Sequence, residues 1–271
     1  MEPWYNQIMN LIDELTKLEP VFIQAGQMAV KMQGAAKHHN KTNTGHNVVD
    51  IVTEADLAVQ EFLLGEMAKT DLADCRLLAE EDTALTSKFA GKNGYYLAID
   101  PIDGTAIYAR GGKTFNTIIS MHNGKSLLYT FEYFPILGWT QKIIEKTYSS
   151  IGVQPKFESS FADKGVILYY SGSPEKTIPD IYQNLTGKGL KFVNCIETLD
   201  DIQGQAMFIC KQVAGFYIEN PNAYDGLVAL HASLATNRRI YSGGPGGHLD
   251  FANIQRRETG FYYPGYYLVL N

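Results

Sequence analysis

The stretch Ala98-Ile99-Asp100-Pro101-Ile102-Asp103-Gly104-Thr105 holds the densest set of chemically capable groups in the sequence. An apolar run, Tyr95 to Ile99, delivers Asp100. Pro101 fixes φ and removes a ladder donor, so it is expected to stop strand pairing and turn the chain. Asp103 then returns near the first carboxylate. Gly104 lets a ligand approach the backbone, and Thr105 and Ala106 open a short helix whose first N–H groups favour an anion. Two unit charges about 4 Å apart repel by roughly 4 kcal/mol at an effective dielectric near 20. A hard divalent cation removes that penalty and can bridge acid to phosphate. Oxygen-only ligands point to Mg2+, with Mn2+ or Ca2+ as substitutes, rather than zinc.

Further acids stand at the ends of expected elements. Glu80 and Glu81 follow the strand-like run Arg76-Leu-Leu-Ala79, Asp225 precedes a helix, and Asp50 leads into Ile51-Val-Thr-Glu-Ala-Asp56. Taken singly, Asp225 reads as a helix N-cap, and Thr53 with Asp56 as a capping box. Strand ends and helix starts are also where chemistry gathers in sheet proteins. Other phosphate and hydrolase signatures are missing: there is no GxxxxGK[ST] loop, no GxSxG and no HExxH, and Ser242-Gly-Gly-Pro-Gly-Gly247 reads as a tight turn.

The elements that must carry these groups are legible in part. Trp4, Ile8, Leu11, Ile12 and Leu15 keep the spacing of one helix face, and Pro20 suits the first turn of a second helix bearing Val21, Phe22, Ala25, Met28 and Ala29. Residues 37–47 are polar and aperiodic, expected as a loop in which His38, His39 and His46 are solvated. A helix from Glu54 and strands at 76–79, 95–99, 116–122 and 126–133 follow. Beyond Pro155 strands and helices alternate, with helices expected near 174–186, 201–212 and 226–237. A boundary near 155 therefore predicts an α+β half over 1–155 and an α/β half over 156–271. Tyr262, Tyr263, Tyr266 and Tyr267 are expected as an edge strand or dimer contact.

Composition narrows the class. Of 271 residues 45% are hydrophobic and 19% charged, enough apolar surface for a sizeable core. The net charge is −6 and no basic run exceeds the pairs Arg238-Arg239 and Arg256-Arg257, which argues against a nucleic-acid polymer as partner. Three cysteines without a CxxC suit a reducing compartment. No apolar stretch is long enough to span a bilayer, so a cytoplasmic protein with no membrane partner is expected.

Together these segments resemble the inositol monophosphatase family of Mg2+-dependent, Li+-sensitive phosphatases. Asp50-Ile-Val-Thr-Glu-Ala-Asp56 matches the early DxVTxxD block, Ala79-Glu80-Glu81 stands where the family has Gly-Glu-Glu, with Ala79 replacing the Gly, Asp100-Pro-Ile-Asp-Gly-Thr105 is the full signature, and Tyr224-Asp225 stands at Trp-Asp. The resemblance implies a five-layer αβαβα sandwich with the metals between its halves. It implies that Glu80, Asp100 and the Ile102 carbonyl hold one Mg2+, that Asp100, Asp103 and Asp225 hold a second, and that Glu80 reaches a weaker third through water. It further implies that Thr105 and Asp50 help Glu80 orient a metal-activated water. Gly104, Thr105 and Ala106 would bind phosphate through backbone N–H groups, the substrate would be a small phosphorylated polyol or sugar, and the protein would be a homodimer.

The departures concern the substrate wall. Glu197-Thr-Leu-Asp-Asp-Ile202 is bulkier and more acidic than the family's Gly-Ser/Thr-Ala turn, and Glu219 is one residue out of register with a sugar-binding Glu, leaving Ile218 in its place. A 3′(2′),5′-bisphosphate nucleotidase or a fructose-1,6-bisphosphatase-type enzyme also fits, with Lys37, Lys41, Arg110 and Lys113 as candidate anion ligands. So does a non-catalytic metal-binding relative. Haloacid-dehalogenase-like enzymes use DxDGT, with acids at i and i+2 instead of i and i+3 as here.

Overall fold

The computed structural model describes residues 3–33, 38–40, 51–195 and 203–271. Asp50, Lys37, Lys41, His46 and the 197–202 segment lie outside the described residues. The chain divides into two compact units, Met1–Glu145 with Ser149–Val153, and Lys146–Tyr148 with Gln154–Asn271.

The first unit runs α1 (Pro3–Lys17), α2 (Glu19–Met32), β1 (His38–Asn40), β2 (Ile51–Thr53), α3 (Glu54–Met67), β3 (Arg76–Ala79), β4 (Tyr96–Asp103), α4 (Thr105–Ala109), β5 (Asn116–His122), β6 (Leu127–Phe134), β7 (Trp139–Ile144) and β8 (Thr147–Ile151). The six strands from β3 to β8 lie side by side in chain order, parallel from β3 to β4 and antiparallel from β4 through β7. The expected helix faces are the buried ones: Ile8, Leu11, Ile12 and Leu15 of α1, and Phe22, Ala25 and Ala29 of α2. They pack with Val59 and Leu63 of α3 against Leu97, Ile99, Ile119 and Phe131 of the sheet. Each Ile, Leu, Val or Phe among them contributes about 1.5–3 kcal/mol of burial.

Two expectations change here. Part of the polar 37–47 stretch is a strand, since His38–Asn40 pairs antiparallel with Ile51–Thr53; backbone pairing at an edge needs no side-chain periodicity. Asp56 stands in the first turn of α3, where a capping box with Thr53 would put it, and is 2% exposed. Pro101 does not end the strand: β4 continues to Asp103 through a register shift between Asp100 and Asp103. A bulge leaves a residue unpaired, which is where a proline without N–H is tolerated.

His122, 1% exposed, stacks on its cross-strand partner Tyr96 with ring centroids 4.6 Å apart and accepts Gly124 N–H at Nδ1. Burial lowers it from the usual 6.5 to about 3. The unfolded chain therefore takes a proton near pH 6.5 that the folded chain refuses until about 3. Stability from this site is full above 6.5 and is lost as pH falls through that window. At about 1.4 kcal/mol per pH unit the loss amounts to a few kcal/mol. His122→Phe should flatten the acid side of the stability curve in urea melts; an unchanged slope would contradict this assignment.

The second unit runs β9 (Val166–Tyr169), α5 (Pro174–Thr177), α6 (Pro179–Gly187), β10 (Lys191–Asn194), α7 (Gly204–Ile209), β11 (Gly215–Glu219), α8 (Val228–Ala235), β12 (Arg239–Gly243), β13 (Gln255–Arg257), β14 (Gly260–Tyr262) and β15 (Tyr266–Leu270). Its sheet order is β10-β9-β11-β15-β12. The helix expected over 174–186 is two helices, broken at Ile178 (φ −132°, ψ 54°) because the residue before Pro179 is pushed out of the α region. The tyrosine-rich tail is no edge: β15 is paired on both sides, with β11 and β12, and Tyr263 and Tyr267 are 0% exposed. Burial, not a dimer contact, accounts for those two rings. No described helix is long and apolar enough to cross a membrane.

Candidate metal centre

In a regular strand, residues three apart point to opposite faces. The bulge in β4 changes this for the signature. Asp100 stands opposite Ile118 and Asp103 opposite Asn116, so three steps on β4 match two on β5. The extra residue brings both carboxylates to one side, and each offers an oxygen within 4.8 Å of the other. Asp100 is 5% exposed and Asp103 half-buried. The bulge is held from β5, where Thr117 Oγ1 donates to the Pro101 carbonyl at 2.9 Å. Two buried or half-buried acids this close, in a cluster that holds carboxylates and no His or Cys among the described residues, fit a hard divalent cation such as Mg2+.

Gly104 then takes the left-handed region (φ 83°, ψ 40°), as the N-cap of α4. That conformation costs a residue with Cβ about 1–2 kcal/mol, which explains the glycine. The Thr105 hydroxyl donates to the Ile102 carbonyl at 3.1 Å, tying the helix start to the strand end. The first N–H groups of such a helix have no intrahelical acceptor. The far end of α4 is anchored too: Tyr108 Oη donates to Ala29 O at 2.8 Å, and Gln33 Nε2 donates to Tyr108 O and Gly112 O. Gly104→Ala should lower the thermal midpoint and weaken binding of inorganic phosphate several-fold, with folded content retained by circular dichroism; wild-type phosphate affinity would show that this turn holds no anion.

Glu80 follows β3 and is exposed, outside the close Asp100–Asp103 pair. Its neighbour Glu81 is 7% exposed and its backbone is clamped by Gln60 of α3. Gln60 Nε2 donates to Glu81 O at 2.6 Å and its Oε1 accepts Glu81 N–H at 3.0 Å. Arg110 and Lys113 are both exposed beyond α4.

Asp225 belongs to the second unit and is not an N-cap, since α8 begins at Val228 after Leu227. The loop before α8 is built on Asn222, whose Oδ1 accepts N–H from Tyr224, Asp225 and Gly226 at 2.9, 3.0 and 3.2 Å. Gln205 Nε2 donates to the Asp225 carbonyl at 3.0 Å and Tyr267 Oη to the Gly226 carbonyl at 2.7 Å. With its backbone so fixed, the half-buried Asp225 keeps Oδ1 buried without a hydrogen-bond partner among the described residues. Burial pushes its carboxyl up to about 6. A buried carboxylate oxygen lacking a donor fits a cation ligand.

Glu219 is already committed. Its Oε2 accepts from Thr177 Oγ1 at 2.9 Å, Tyr217 Oη at 3.2 Å and Ser173 N–H at 3.3 Å. The cysteines are poor nucleophiles where burial sets them: it pushes Cys75 up to about 11 and Cys195 to about 12.

The sequence reading missed Gln60, Gln205 and Asn222. Only Asn222 carried a local signal, as an Asx turn in Pro221-Asn-Ala-Tyr-Asp225.

The fold is the α+β fold of solved inositol monophosphatases. The extragenic suppressor protein suhB from Bartonella henselae is 16% identical, with 94% of this chain and 93% of that chain covered and a TM-score of 0.61. An IMPase from Thermotoga maritima is 17% identical over 95% and 92% of the two chains, with a TM-score of 0.63. An IMPase/NADP phosphatase solved with Mg2+ and phosphate is 17% identical over 98% and 91%, with a TM-score of 0.61. Comparison with curated proteins returns no match. The sequence model of the inositol monophosphatase family matches residues 13–154. The chain belongs to the inositol monophosphatase family.

Proposed function

We propose that this chain is an Mg2+-dependent phosphomonoesterase acting on a small phosphorylated polyol or sugar. The observation that carries the reading is the bulged turn that sets Asp100 and Asp103 oxygens within 4.8 Å of each other, immediately before the left-handed Gly104. In this reading Glu80, Asp100 and the Ile102 carbonyl hold one ion, Asp100, Asp103 and Asp225 a second, and Glu80 a third through water. The half over 1–155 supplies most ligands and the half over 156–271 supplies Asp225. When bound, the ions neutralise phosphoryl oxygens and lower the pKa of the attacking water.

The chain's own groups do the rest. The N–H groups of Gly104, Thr105 and Ala106 hold phosphate oxygens at the start of α4. Thr105 keeps the Ile102 carbonyl in place through its hydroxyl. Glu80, exposed at the end of β3, takes the proton of the attacking water, with Asp50 and Thr105 in support. The family resemblance also carries a homodimer in the cytoplasm.

The commitment of Glu219 to Thr177, Tyr217 and Ser173 favours a substrate other than inositol phosphate. A bisphosphate nucleotidase or sugar bisphosphatase is accordingly the second reading. Phosphate release with Mg2+ from inositol 1-phosphate, fructose 1,6-bisphosphate, 3′-phosphoadenosine 5′-phosphate and histidinol phosphate separates the two. Turnover of a bisphosphate alone selects the second reading, and no turnover of any member contradicts both.

A further inference from the structure

The sheet of the first unit carries a polar seam that the hydrolytic reading leaves unused. Asp100 stands opposite Ile118, Ile118 opposite Glu132, and Glu132 opposite Gln141. Directly opposed residues share a face, so Glu132 lies on the Asp100 face, two strands away. Asn116, two residues along β5 from Ile118, shares that face and is the partner of Asp103. Glu132 is 2% exposed, and Asn116 and Gln141 are 0% exposed. Asn116 Nδ2 donates to one oxygen of the Glu132 carboxylate and Gln141 Nε2 to the other.

A buried carboxylate is costly even when hydrogen-bonded, and an apolar residue of similar size would serve packing better. A local rule broken in this way marks a functional demand. What the seam touches is the bulge: Asn116 sets the register of Asp103, and its side chain is held by Glu132.

We propose that Glu132 is a positioning residue for the metal-binding strand, holding Asn116 and through it the place where β4 bulges and Asp103 turns toward Asp100. The proposal rests on the metal reading given above. Its direction is specific, because the line runs from Glu132 to Asn116 to Asp103, while Gln141 lies on the far side of Glu132.

Calorimetric titration of Mg2+ alone into the full chain tests it, with the thermal midpoint measured beside it. Glu132→Ala and Asn116→Ala should each weaken Mg2+ binding about tenfold, as loss of a group orienting a ligand does. Glu132→Gln, whose carbonyl still accepts from Asn116, should lose less. Gln141→Ala should bind Mg2+ as the wild type does although its midpoint falls. Ile143→Ala, a cavity in the same sheet, should behave likewise. Wild-type Mg2+ affinity in Glu132→Ala and Asn116→Ala overturns the proposal, as does a loss that merely tracks the midpoint across all five variants. A wild-type chain that binds no Mg2+ overturns the metal reading, and the proposal with it.

Discussion

Replacing Asp100 by Asn is expected to lower Mg2+-dependent phosphate release about a thousandfold, the equivalent of about 4 kcal/mol of transition-state stabilisation by a metal centre. Asp100 is the one carboxylate that the proposed reading assigns to both principal ions, and it is 5% exposed at the bulge of β4. The amide keeps the shape and the neighbours of the side chain but not its charge. The same change should act in the opposite direction on stability. Carboxylates with oxygens within 4.8 Å of each other repel by roughly 3 kcal/mol or more at an effective dielectric near 20. Asp100→Asn should therefore raise the thermal midpoint of the protein in EDTA while Mg2+ no longer adds to it. Parallel loss of activity and of metal-free stability would mean that Asp100 serves the fold, and would contradict the assignment.

Gln60→Leu should give the largest single loss of stability outside the apolar core. Gln60 is 0% exposed and binds both the N–H and the carbonyl of Glu81, as a strand partner would. Leucine fills the volume and leaves two buried backbone groups without partners, at about 1–3 kcal/mol each. A total near 3 kcal/mol corresponds to a fall of about 6 °C in midpoint for a chain of this size. The turn holding Glu80 would also lose its clamp, so kcat should drop while the phosphate affinity proposed for α4 is unchanged. An unchanged midpoint would show that another group satisfies the Glu81 backbone.

The positions of most candidate residues could be read from the sequence because each stands where an apolar run stops. Arg76-Leu-Leu-Ala79 ends at Glu80, and the run through Ile99 ends at Asp100. The α1 face was equally legible, since Ile8, Leu11, Ile12 and Leu15 recur at helical spacing and all are buried. The bulge was not, because Pro101 reads as a strand terminator until the register with β5 is known. Gln60 and Gln205 were invisible for a related reason: each acts on backbone 20 or 21 residues away, a distance that leaves no local pattern. The tyrosine tail misled because Tyr and Val suit edge and interior strands alike; only pairing on both sides distinguishes them.

In the proposed function a divalent cation held by the Asp100–Asp103 turn drives phosphate ester hydrolysis. Its most direct test is phosphate release by the wild-type chain in Mg2+, then in excess EDTA, then with Mg2+ restored, using whichever substrate of the panel turns over. Release that stops in EDTA, returns with Mg2+ and is absent from Asp100→Asn is the predicted result. Release that continues in EDTA, or a phosphorylated Asp100 recovered from the reaction, would contradict the account.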